Sequence, residues 1–417
     1  MLDLKIIREE TERVKQGLLK RMPADKFDLE KIISLDDERR FLINKLETLK
    51  SERNQNSKVK PSPEIIAEMK KIGEEIKELE KALNEKEENL NNLLAELPNI
   101  PADDVVSGDK ENNEVIYTYG KKPEFSFSPK NHVDLATSLG LIDYERAVKM
   151  SGSGFWCYTG VGALLEWALL SYFKDFHVKN GYQFLIPPFL LTEKSAYTSG
   201  HLPKFRDDLF WTQDALCLNA TSEMMLGNYH REEVLNVDQP LKYFAYSPCF
   251  RREAGSYRQE ERGMIRGHQF NKIEMFIFCK PEESWDMFTE LTDNAKKLVE
   301  GLGLHFQVSK LAAGDCSAAM AKTYDLEVFI PSMEIYKEVS SISNALDYQA
   351  RRGQTRYKNT QTAKNDFLHT LNASGLATSR VLPAILEQNQ QADGSVIIPE
   401  VLRPYMPNNM SVIKLEK

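Results

Sequence analysis

Charged and aromatic residues alternate in an unusual way in residues 249–276, CFRREAGSYRQEERGMIRGHQFNKIEMF. Two runs of strand-forming residues flank a charged loop there, which predicts a β-hairpin. Arg251 and Glu253 are two residues apart, so a regular strand would place both side chains on one face. On the second strand, a spacing of four would likewise place Arg266, Phe270 and Glu274 on one face.

These residue types match the three parts of a nucleotide. The guanidinium fork of arginine binds phosphate, an aromatic ring stacks on a base with about 1–3 kcal/mol, and a carboxylate accepts a hydrogen bond from an exocyclic amine. The hairpin therefore predicts a nucleotide site, although a solvated, salt-bridged hairpin explains the same charges equally well. Neither GxxxxGK(S/T) nor GxGxxG occurs in the chain, which excludes the usual glycine-rich phosphate loops.

Two further segments carry groups that suit the same ligand. Residues 335–352 place Glu338, Ser340 and Ser341 in a predicted strand, and such oxygen ligands suit Mg²⁺ on a triphosphate. Residues 369–390 pass from a predicted strand to a helix through small residues, with Arg380 at the change. There Arg380 can face a phosphate near the helix N-terminus, although tight core packing explains the small residues equally well.

The elements around these segments predict an α+β domain. Short strands at hairpin spacing follow residue 113, and residues 161–181 form a strongly apolar helix that ends at a glycine. We expect a mostly antiparallel sheet with helices packed on it. In QFLIPPFLL, Pro187 and Pro188 indicate the end or the edge of a strand.

The first hundred residues have a different pattern, with apolar residues at heptad spacing. The two sets are Ile32, Leu35, Leu42, Leu46 and Leu49, and then Ile65, Met69, Ile72, Ile76, Leu79, Leu83, Leu90, Leu93 and Leu97. The polar residues 54–63 end in two prolines and separate the sets. We predict an antiparallel helical hairpin, a coiled coil with arms roughly 45 Å long, or alternatively a plain dimerisation coiled coil. The predicted organisation is a hairpin domain (1–100), a linker (101–113) and a second domain (114–417).

Composition limits the remaining possibilities. The 417 residues are 41% hydrophobic and 28% charged with a net charge of −8, so any polyanion must be bound by local patches. The five cysteines are scattered and lack a CxxC pair, which disfavours a disulfide framework or a thiolate zinc site. No apolar run has the length of a membrane span, and the first residues lack a signal-peptide core. We therefore expect a cytoplasmic protein without membrane contacts.

Several motifs resemble those of class II aminoacyl-tRNA synthetases. FRRE followed by RGHQFNKIE resembles their second signature, fRxE…RxxxFxxxE, and GLATSR resembles their third. The apolar helix followed by QFLIPPF resembles the first signature, which forms the dimer interface. TSGHLPKFRDDLF, NATSE, EVSSISN and HTLNASGLA are similar to strings of the seryl-tRNA synthetase family, and this resemblance covers essentially the whole chain.

The resemblance implies an enzyme that activates L-serine with ATP to seryl-adenylate. It would then transfer serine to the 3′ end of tRNA(Ser), with tRNA(Sec) as a second candidate acceptor. It also implies a homodimer, ATP and Mg²⁺ as cofactors, and a helical hairpin that reaches the long variable arm of the tRNA. The basic residues that could contact its phosphates are Arg39, Arg40, Lys45, Lys50 and Arg53, and a solvated face is the alternative for each.

The resemblance also implies roles for individual residues. As catalytic residues, Arg251 would bind the α-phosphate and Arg380 the γ-phosphate, while Phe270 would stack on adenine. The implied ATP-binding set is Arg251, Arg252, Glu253, Phe270, Glu338, Val339, Ser340, Ser341 and Arg380, with Glu253 on the adenine amine. Glu338 and Ser341 would hold Mg²⁺. The implied serine-binding set is Thr221, Ser222, Glu223, Glu274, Asn372 and Ser374.

Two of the departures from the family pattern concern the hairpin loop and the third signature. RQEERG occupies residues 258–263, where GRDTRG is common, and NASGLATSR replaces NGSGLAVGR, with Ala373 and Ser379 in place of glycines. Three alternatives follow: a synthetase paralogue with altered activity, a non-catalytic tRNA-binding protein, and an amino acid:carrier-protein ligase. The second predicts damaged ATP-binding residues, and the third predicts that the helical hairpin is absent.

Overall fold

The computed structural model describes residues 1–58, 62–254 and 263–414, and the chain folds as two compact units, Met1–Ile100 and Pro101–Lys417. The first unit is helical. Its helices are α1 (Leu4–Glu9), α2 (Thr11–Leu19), α3 (Leu29–Asn56) and α4 (Pro63–Glu96). The division into a hairpin domain, a linker and a second domain at residues 100 and 113 stays a prediction.

Helices α3 and α4 form the predicted hairpin, and at about 1.5 Å per residue they are roughly 42 and 51 Å long. Leu46, Ile72 and Ile76 are buried between them. Near the end of α4 the structure buries Leu94 to 2% exposure, whereas the heptad pattern predicted Leu93. The cause is the period of 3.6 residues, which drifts away from a strict heptad along a helix.

The second unit is built on one sheet of eight strands. The strands are β1 (Glu114–Tyr119), β2 (Gln183–Leu185), β3 (Leu241–Phe250), β4 (Gln269–Cys279), β5 (Phe306–Lys310), β6 (Lys322–Ile330), β7 (Ile335–Leu346) and β8 (His369–Ala377). Their order is β1-β5-β6-β7-β8-β4-β3-β2. Every pairing is antiparallel except that of β2 with β3. This confirms the predicted α+β class, and β2 ends at the sheet edge just before Pro187.

Helices and short strands complete this unit. The helices are α5 (His132–Ser138), α6 (Tyr144–Ser151), α7 (Gly160–Lys179), α8 (Glu193–Thr198), α9 (Glu223–Leu226), α10 (Ser284–Gly301), α11 (Tyr348–Gly353) and α12 (Thr378–Gln388). Strands outside the large sheet are Ile142–Asp143, Cys157–Tyr158, Leu190–Thr192, Leu216–Leu218, Val234–Leu235, Arg356–Lys358, Asn365–Phe367, Val396–Ile397 and Val412–Ile413. Short 3-10 helices of this unit span Lys110–Asn112, Arg206–Asp208, Pro281–Glu283, Pro331–Met333, Glu400–Tyr405 and Pro407–Asn409, and another, Ala24–Lys26, lies in the first unit.

The two faces of β4 show how the sheet separates core from site. Ile273, Met275 and Ile277 alternate along the strand and join the main apolar core, which also contains residues of α7, α10 and α12. Lys272 and Glu274 lie on the opposite face, because successive side chains of a strand point to opposite sides. Helices α7, α10 and α12 therefore cover one face of the sheet. The other face carries Lys272 and Glu274 at one end of β4 and the apolar Phe276 and Phe278 further along.

Strands β3 and β4 form the predicted hairpin, with Cys249 opposite Phe270. The prediction that Arg251 and Glu253 share a strand face is wrong, because β3 ends at Phe250. The backbone turns away instead, and the N–H of Arg252 donates to the carbonyl of Asp208 at 2.9 Å. Glu253 has a left-handed backbone with φ 53°.

Arg266 precedes the first residue of β4, so it also lies outside the strand face on which it was predicted. Its guanidinium nevertheless reaches Glu253, with 2.7 Å between Nε and Oε2.

Within the described part of the chain, every helix is either too short or too polar to cross a lipid bilayer.

Candidate active site

A cavity of about 520 Å³ opens on the polar face of the sheet. Its lining includes nine of the residues predicted for ATP, Mg²⁺ or serine: Thr221, Glu223, Arg251, Glu253, Glu274, Glu338, Ser341, Asn372 and Ser374. A narrower cleft beside it adds Phe270, Val339 and Arg380. Segments more than 150 residues apart in the sequence thus contribute to one site.

Three of the predicted residues lie outside both linings. Ser222 is fully buried, and its hydroxyl is 2.7 Å from that of Ser247. Ser340 is also buried and donates its hydroxyl proton to the carbonyl of Ser374 at 2.6 Å. Arg252 lines neither the cavity nor the cleft, whereas its neighbours Arg251 and Glu253 line both. The two serines thus support the site from behind.

Arg251 and Phe270 form the wall of the cleft. The Arg251 guanidinium carbon is 5.3 Å from the centroid of the Phe270 ring, which is within the range of a cation–π contact. Arg251 Nε donates to the carbonyl of Ala220 at 3.3 Å. These two contacts orient the guanidinium beside an aromatic face that can stack on a base.

Arg380 lies at the beginning of α12 and contacts Glu338 twice. Its Nη1 donates to the Glu338 carbonyl at 2.8 Å and lies 3.2 Å from Oε2 of the same residue. Burial raises the pKa of Glu338, but the nearby charges of Arg380 and Arg251 outweigh it and leave that pKa below its usual value. Glu338 therefore stays ionised as a ligand for a cation.

The donors around Glu338 fit Mg²⁺. Ser341 lies in the same strand, and Asp325 faces it from β6. Burial and the charge of Glu338 raise the pKa of Asp325 well above its usual value, and its Oδ1 is a buried acceptor without a hydrogen-bond donor among the described residues. Within residues 1–58, 62–254 and 263–414, no three His, Cys, Asp or Glu side chains could hold a metal by themselves. Mg²⁺ would therefore need phosphate or water oxygens as well.

The inner end of the cavity contains an ion pair that the sequence analysis did not identify. Lys272 Nζ contacts Oε2 of Glu274, and both residues are at most 5% exposed. Lys272 Nζ also donates to Thr221 Oγ1 at 2.6 Å. The signal in the sequence was the spacing of two between Lys272 and Glu274, which places both side chains on one strand face.

Glu274 receives further hydrogen bonds from β8. Asn372 Nδ2 is 3.4 Å from Oε1, and Ser374 Oγ is 3.3 Å from Oε2. Three predicted serine-binding residues are therefore hydrogen-bonded to one another. Ser374 stands opposite Glu274 in the sheet register, which explains the contact.

Glu223 completes this end of the cavity and is also buried. Gln349 Nε2 donates to its Oε1 at 2.7 Å, and Thr370 fixes the Gln349 amide through a 2.7 Å bond to Oε1 of that residue. Burial, reinforced by the charge of Glu274, raises the pKa of Glu223 to about 7. Near neutral pH, this carboxyl can bind a cation in its ionised form or hold a proton.

His201 also lines the cavity and was noted in the sequence only as part of TSGHLPKF. Its Nδ1 is 2.9 Å from the hydroxyl of Ser199. Burial, together with the charges of Arg251 and Lys272, lowers its pKa to about 3. The ring is therefore neutral at physiological pH and adds no charge to the site.

Four of the five basic residues that were predicted to contact tRNA phosphates form ion pairs with carboxylates of the hairpin. Lys45 lies 2.9 Å from Glu75, and Lys50 lies 2.8 Å from Glu80 on the opposite helix. Arg39 and Arg40 both contact the buried carboxylate of Asp36. Their charges are thus partly offset before any polyanion binds.

The segment RQEERG, which departs from the family pattern, occupies residues 258–263. Of these, residues 258–262 lie outside the described residues.

Two family profiles match the chain. The profile described as "Seryl-tRNA synthetase N-terminal domain" matches residues 1–101. The profile described as "tRNA synthetase class II core domain (G, H, P, S and T)" matches residues 205–389. The first covers the helical hairpin, and the second covers all the cavity residues from Phe205 to Arg380.

Curated relatives and a solved structure agree with these profiles. The chain is 53% identical to serine–tRNA ligase 2 of Clostridium acetobutylicum over 97% of this chain and 99% of that protein. It is 48% identical to serine–tRNA ligase of Petrotoga mobilis over the same shares. The crystal structure of seryl-tRNA synthetase from Pyrococcus horikoshii complexed with ATP has a TM-score of 0.93 and 34% identity, with full coverage of both chains. The chain belongs to the seryl-tRNA synthetase family of class II aminoacyl-tRNA synthetases.

Proposed function

We propose that this protein activates L-serine with ATP and transfers it to the 3′ end of tRNA(Ser). The observation that carries the proposal is the cavity itself. Its lining includes the buried carboxylates of Glu223 and Glu274, and the cleft beside it carries Arg251, Phe270 and Arg380. The relatives of this chain are named for the same reaction, and the P. horikoshii structure contains ATP.

ATP would bind along the cleft between β4 and α12. Phe270 would stack on adenine, and Glu253 would accept a hydrogen bond from its amine. Arg251 would bind the α-phosphate and Arg380 the γ-phosphate, each through a bidentate fork. The ion pair between Arg266 and Oε2 of Glu253 fixes the orientation of the Glu253 carboxylate.

Serine would occupy the inner end, where Glu223, Glu274 and Thr221 converge. Its ammonium group would pair with the ionised carboxylates. The serine hydroxyl would form hydrogen bonds with buried polar groups of the pocket. Alanine would leave these groups unpaired, a penalty of roughly 10⁴–10⁵ in sites of this kind. The small volume between the hydrogen-bonded residues of β4 and β8 would exclude the additional methyl group of threonine.

The chemistry needs no covalent intermediate with the protein. The serine carboxylate attacks the α-phosphorus in line, the bond to the bridging oxygen breaks, and pyrophosphate leaves with that electron pair. The terminal ribose hydroxyl of the tRNA then attacks the carbonyl carbon of seryl-adenylate, and AMP leaves. Arg251 and Arg380 position the phosphates and neutralise the negative charge that develops on them.

Mg²⁺ would be held by Glu338 and Ser341, next to the unsatisfied oxygen of Asp325. When bound, it would supply positive charge that offsets the negative charge of the phosphates. Arg380 would keep the Glu338 carboxylate directed towards the cleft, since it already contacts both the carbonyl and the carboxylate of that residue.

Amino-acid-dependent ATP–pyrophosphate exchange tests this function. We expect exchange with serine and not with threonine, alanine or glycine, followed by transfer to tRNA(Ser) and, in a parallel assay, to tRNA(Sec). Exchange without transfer would favour the altered paralogue, with the defect in residues 258–263 or in the hairpin. Absence of exchange with every amino acid would reject the proposed enzyme activity and favour a non-catalytic tRNA-binding protein. That alternative predicts damaged ATP-binding residues, yet the predicted ATP-binding residues are all present.

The raised pKa of Glu223 predicts a pH dependence of serine binding. The carboxyl has a pKa of about 7, so it is ionised above that pH and protonated below it. Because the serine ammonium pairs with the ionised form, we expect the serine KM in the exchange assay to rise by about tenfold as the pH falls from 8 to 6. Glu223→Gln should raise this KM and flatten its pH dependence. The ATP KM, measured in parallel, serves as the control, and a flat serine KM between pH 6 and 8 in the wild-type protein would contradict the prediction.

We also propose a homodimer that associates through the face of α7. Leu164 and Trp167 are one helical turn apart and are 44% and 61% exposed, and Ile186, just beyond β2, is 73% exposed. Leu164 and Trp167 are neighbours on the helix surface, and contiguous exposed apolar patches mark association surfaces.

Trp167→Glu is expected to weaken the dimer by at least about 100-fold, since a central tryptophan contributes strongly to such interfaces. Sedimentation velocity measures the change. Trp285→Glu is the matched control, because Trp285 is also exposed but lies on α10. A wild-type monomer, or a Trp167→Glu protein that remains dimeric, would be incompatible with this interface.

A further inference from the structure

A buried carboxylate lies behind the cavity, on the core side of the sheet. Glu166 belongs to α7 and is only 3% exposed. Its Oε1 accepts two hydrogen bonds, one from Asn271 Nδ2 at 2.8 Å and one from Thr378 Oγ1 at 2.6 Å. No step of the proposed reaction uses Glu166, so its burial needs another explanation.

The two donors belong to the two elements that carry the ATP-binding groups. Asn271 lies in β4 between Phe270 and Lys272. Thr378 is the first residue of α12, two residues before Arg380. Thr378 Oγ1 is also 3.2 Å from the carbonyl of Asn271. Oε1 of Glu166 is therefore hydrogen-bonded both to β4, which carries the proposed adenine-binding Phe270, and to the start of α12, which carries the proposed γ-phosphate-binding Arg380.

The geometry of this network is fixed on its far side as well. The Tyr246 hydroxyl donates to Asn271 Oδ1 at 3.1 Å, which directs the Asn271 NH₂ group towards Glu166. Burial raises the pKa of Glu166 to about 7, against the opposing effect of its hydrogen bonds to Thr378 and Asn271. Either protonation state can accept both bonds through Oε1.

We propose that Glu166 and Thr378 are positioning residues that set the distance between Phe270 and Arg380, and so hold the two ends of ATP in register. This inference rests on the proposed function. The more usual NGSGLAVGR form of the motif has valine at the position of Thr378, so that form lacks this hydroxyl donor. Neither residue lines the cavity or the cleft, so both act through their neighbours.

The test compares Thr378→Val with Thr378→Ser in serine-dependent ATP–pyrophosphate exchange. Valine keeps the shape of the side chain but removes the donor, whereas serine keeps the donor. We expect Thr378→Val to lower kcat/KM for ATP by about tenfold, with the serine KM changed by less than about twofold. Thr378→Ser should remain within about threefold of the wild type for both substrates.

A second pair keeps the test independent of folding defects in the valine variant. Glu166→Gln retains an oxygen acceptor for both donors and should keep the ATP parameters near those of the wild type. Glu166→Ala removes the acceptor and should reproduce the loss seen with Thr378→Val. The inference is overturned if Thr378→Val leaves kcat/KM for ATP unchanged, or if ATP and serine parameters fall together in both threonine variants. A wild-type protein without exchange would instead reject the proposed function.

Discussion

Replacement of Arg251 by alanine is expected to lower serine-dependent ATP–pyrophosphate exchange by about 10³-fold, because one preorganised donor to the developing charge is lost. In the proposed function, Arg251 would contact the α-phosphate, whose phosphorus is the atom at which the new bond forms. Its guanidinium is held over Phe270 and bonded to the Ala220 carbonyl, so it needs little reorganisation when ATP binds.

A second effect adds to this loss. Arg251 is one of the cations that lower the pKa of Glu338, and it also opposes the raised pKa of Glu223. Without Arg251, both carboxyls become harder to ionise, which weakens the proposed Mg²⁺ and serine contacts together. Arg251→Lys retains the charge but loses the planar fork, so an intermediate loss of about 10²-fold is expected.

The exchange rate at saturating serine and ATP measures the effect. Arg146→Ala is the matched control, since Arg146 lies on α6 with a side chain 79% exposed, and its variant should behave as the wild type. Retention of more than a tenth of the wild-type rate by Arg251→Ala would be inconsistent with α-phosphate binding by this residue.

Much of the fold followed from local patterns. The spacing of apolar residues predicted α3 and α4, and the two strand-like runs around the charged loop predicted the β3–β4 hairpin. Such features depend on contacts between residues close in sequence, which periodicity reports directly. The placement of Leu94 rather than Leu93 shows the limit of a strict heptad over a long helix.

The site was harder to predict from the sequence, because its geometry depends on segments that are far apart in the chain. Arg251 and Glu253 were assigned to a strand, yet hydrogen bonds from residues 252 and 254 to Asp208 end the strand first. Lys272 was overlooked because the sequence does not reveal which charges are buried. Glu166, 105 residues from Asn271 and 212 from Thr378, has no pattern in the sequence that predicts its contacts.

Shortening the helical hairpin is expected to abolish transfer to tRNA and to leave serine activation intact. All residues of the cavity and the cleft lie in the second unit, Pro101–Lys417, whereas α3 and α4 lie in the first. We propose the hairpin as the surface that binds the variable arm of tRNA(Ser). Its removal should therefore lower aminoacylation by at least about 10³-fold, because every contact between the hairpin and the variable arm is lost at once.

The structure indicates where to shorten it. Replacing residues 46–79 by a three-residue Gly-Asn-Gly turn removes the cluster of Leu46, Ile72 and Ile76 as a unit. The ion pair between Lys86 and Glu38 remains to join the stumps of the two helices. The measurements are ATP–pyrophosphate exchange, expected within about twofold of the wild type, and serine transfer to tRNA(Ser).

Point variants separate the contribution of shape from that of charge. Lys45 and Lys50 are already paired with Glu75 and Glu80. Their removal should therefore weaken the attraction between the hairpin and the tRNA phosphates only slightly. Lys45→Ala and Lys50→Ala should each reduce aminoacylation by less than about threefold. If either lysine variant matched the shortened protein, the hairpin would act through these charges rather than through its length and shape. If the shortened protein still charged tRNA(Ser) normally, the tRNA would have to be recognised by the second unit alone.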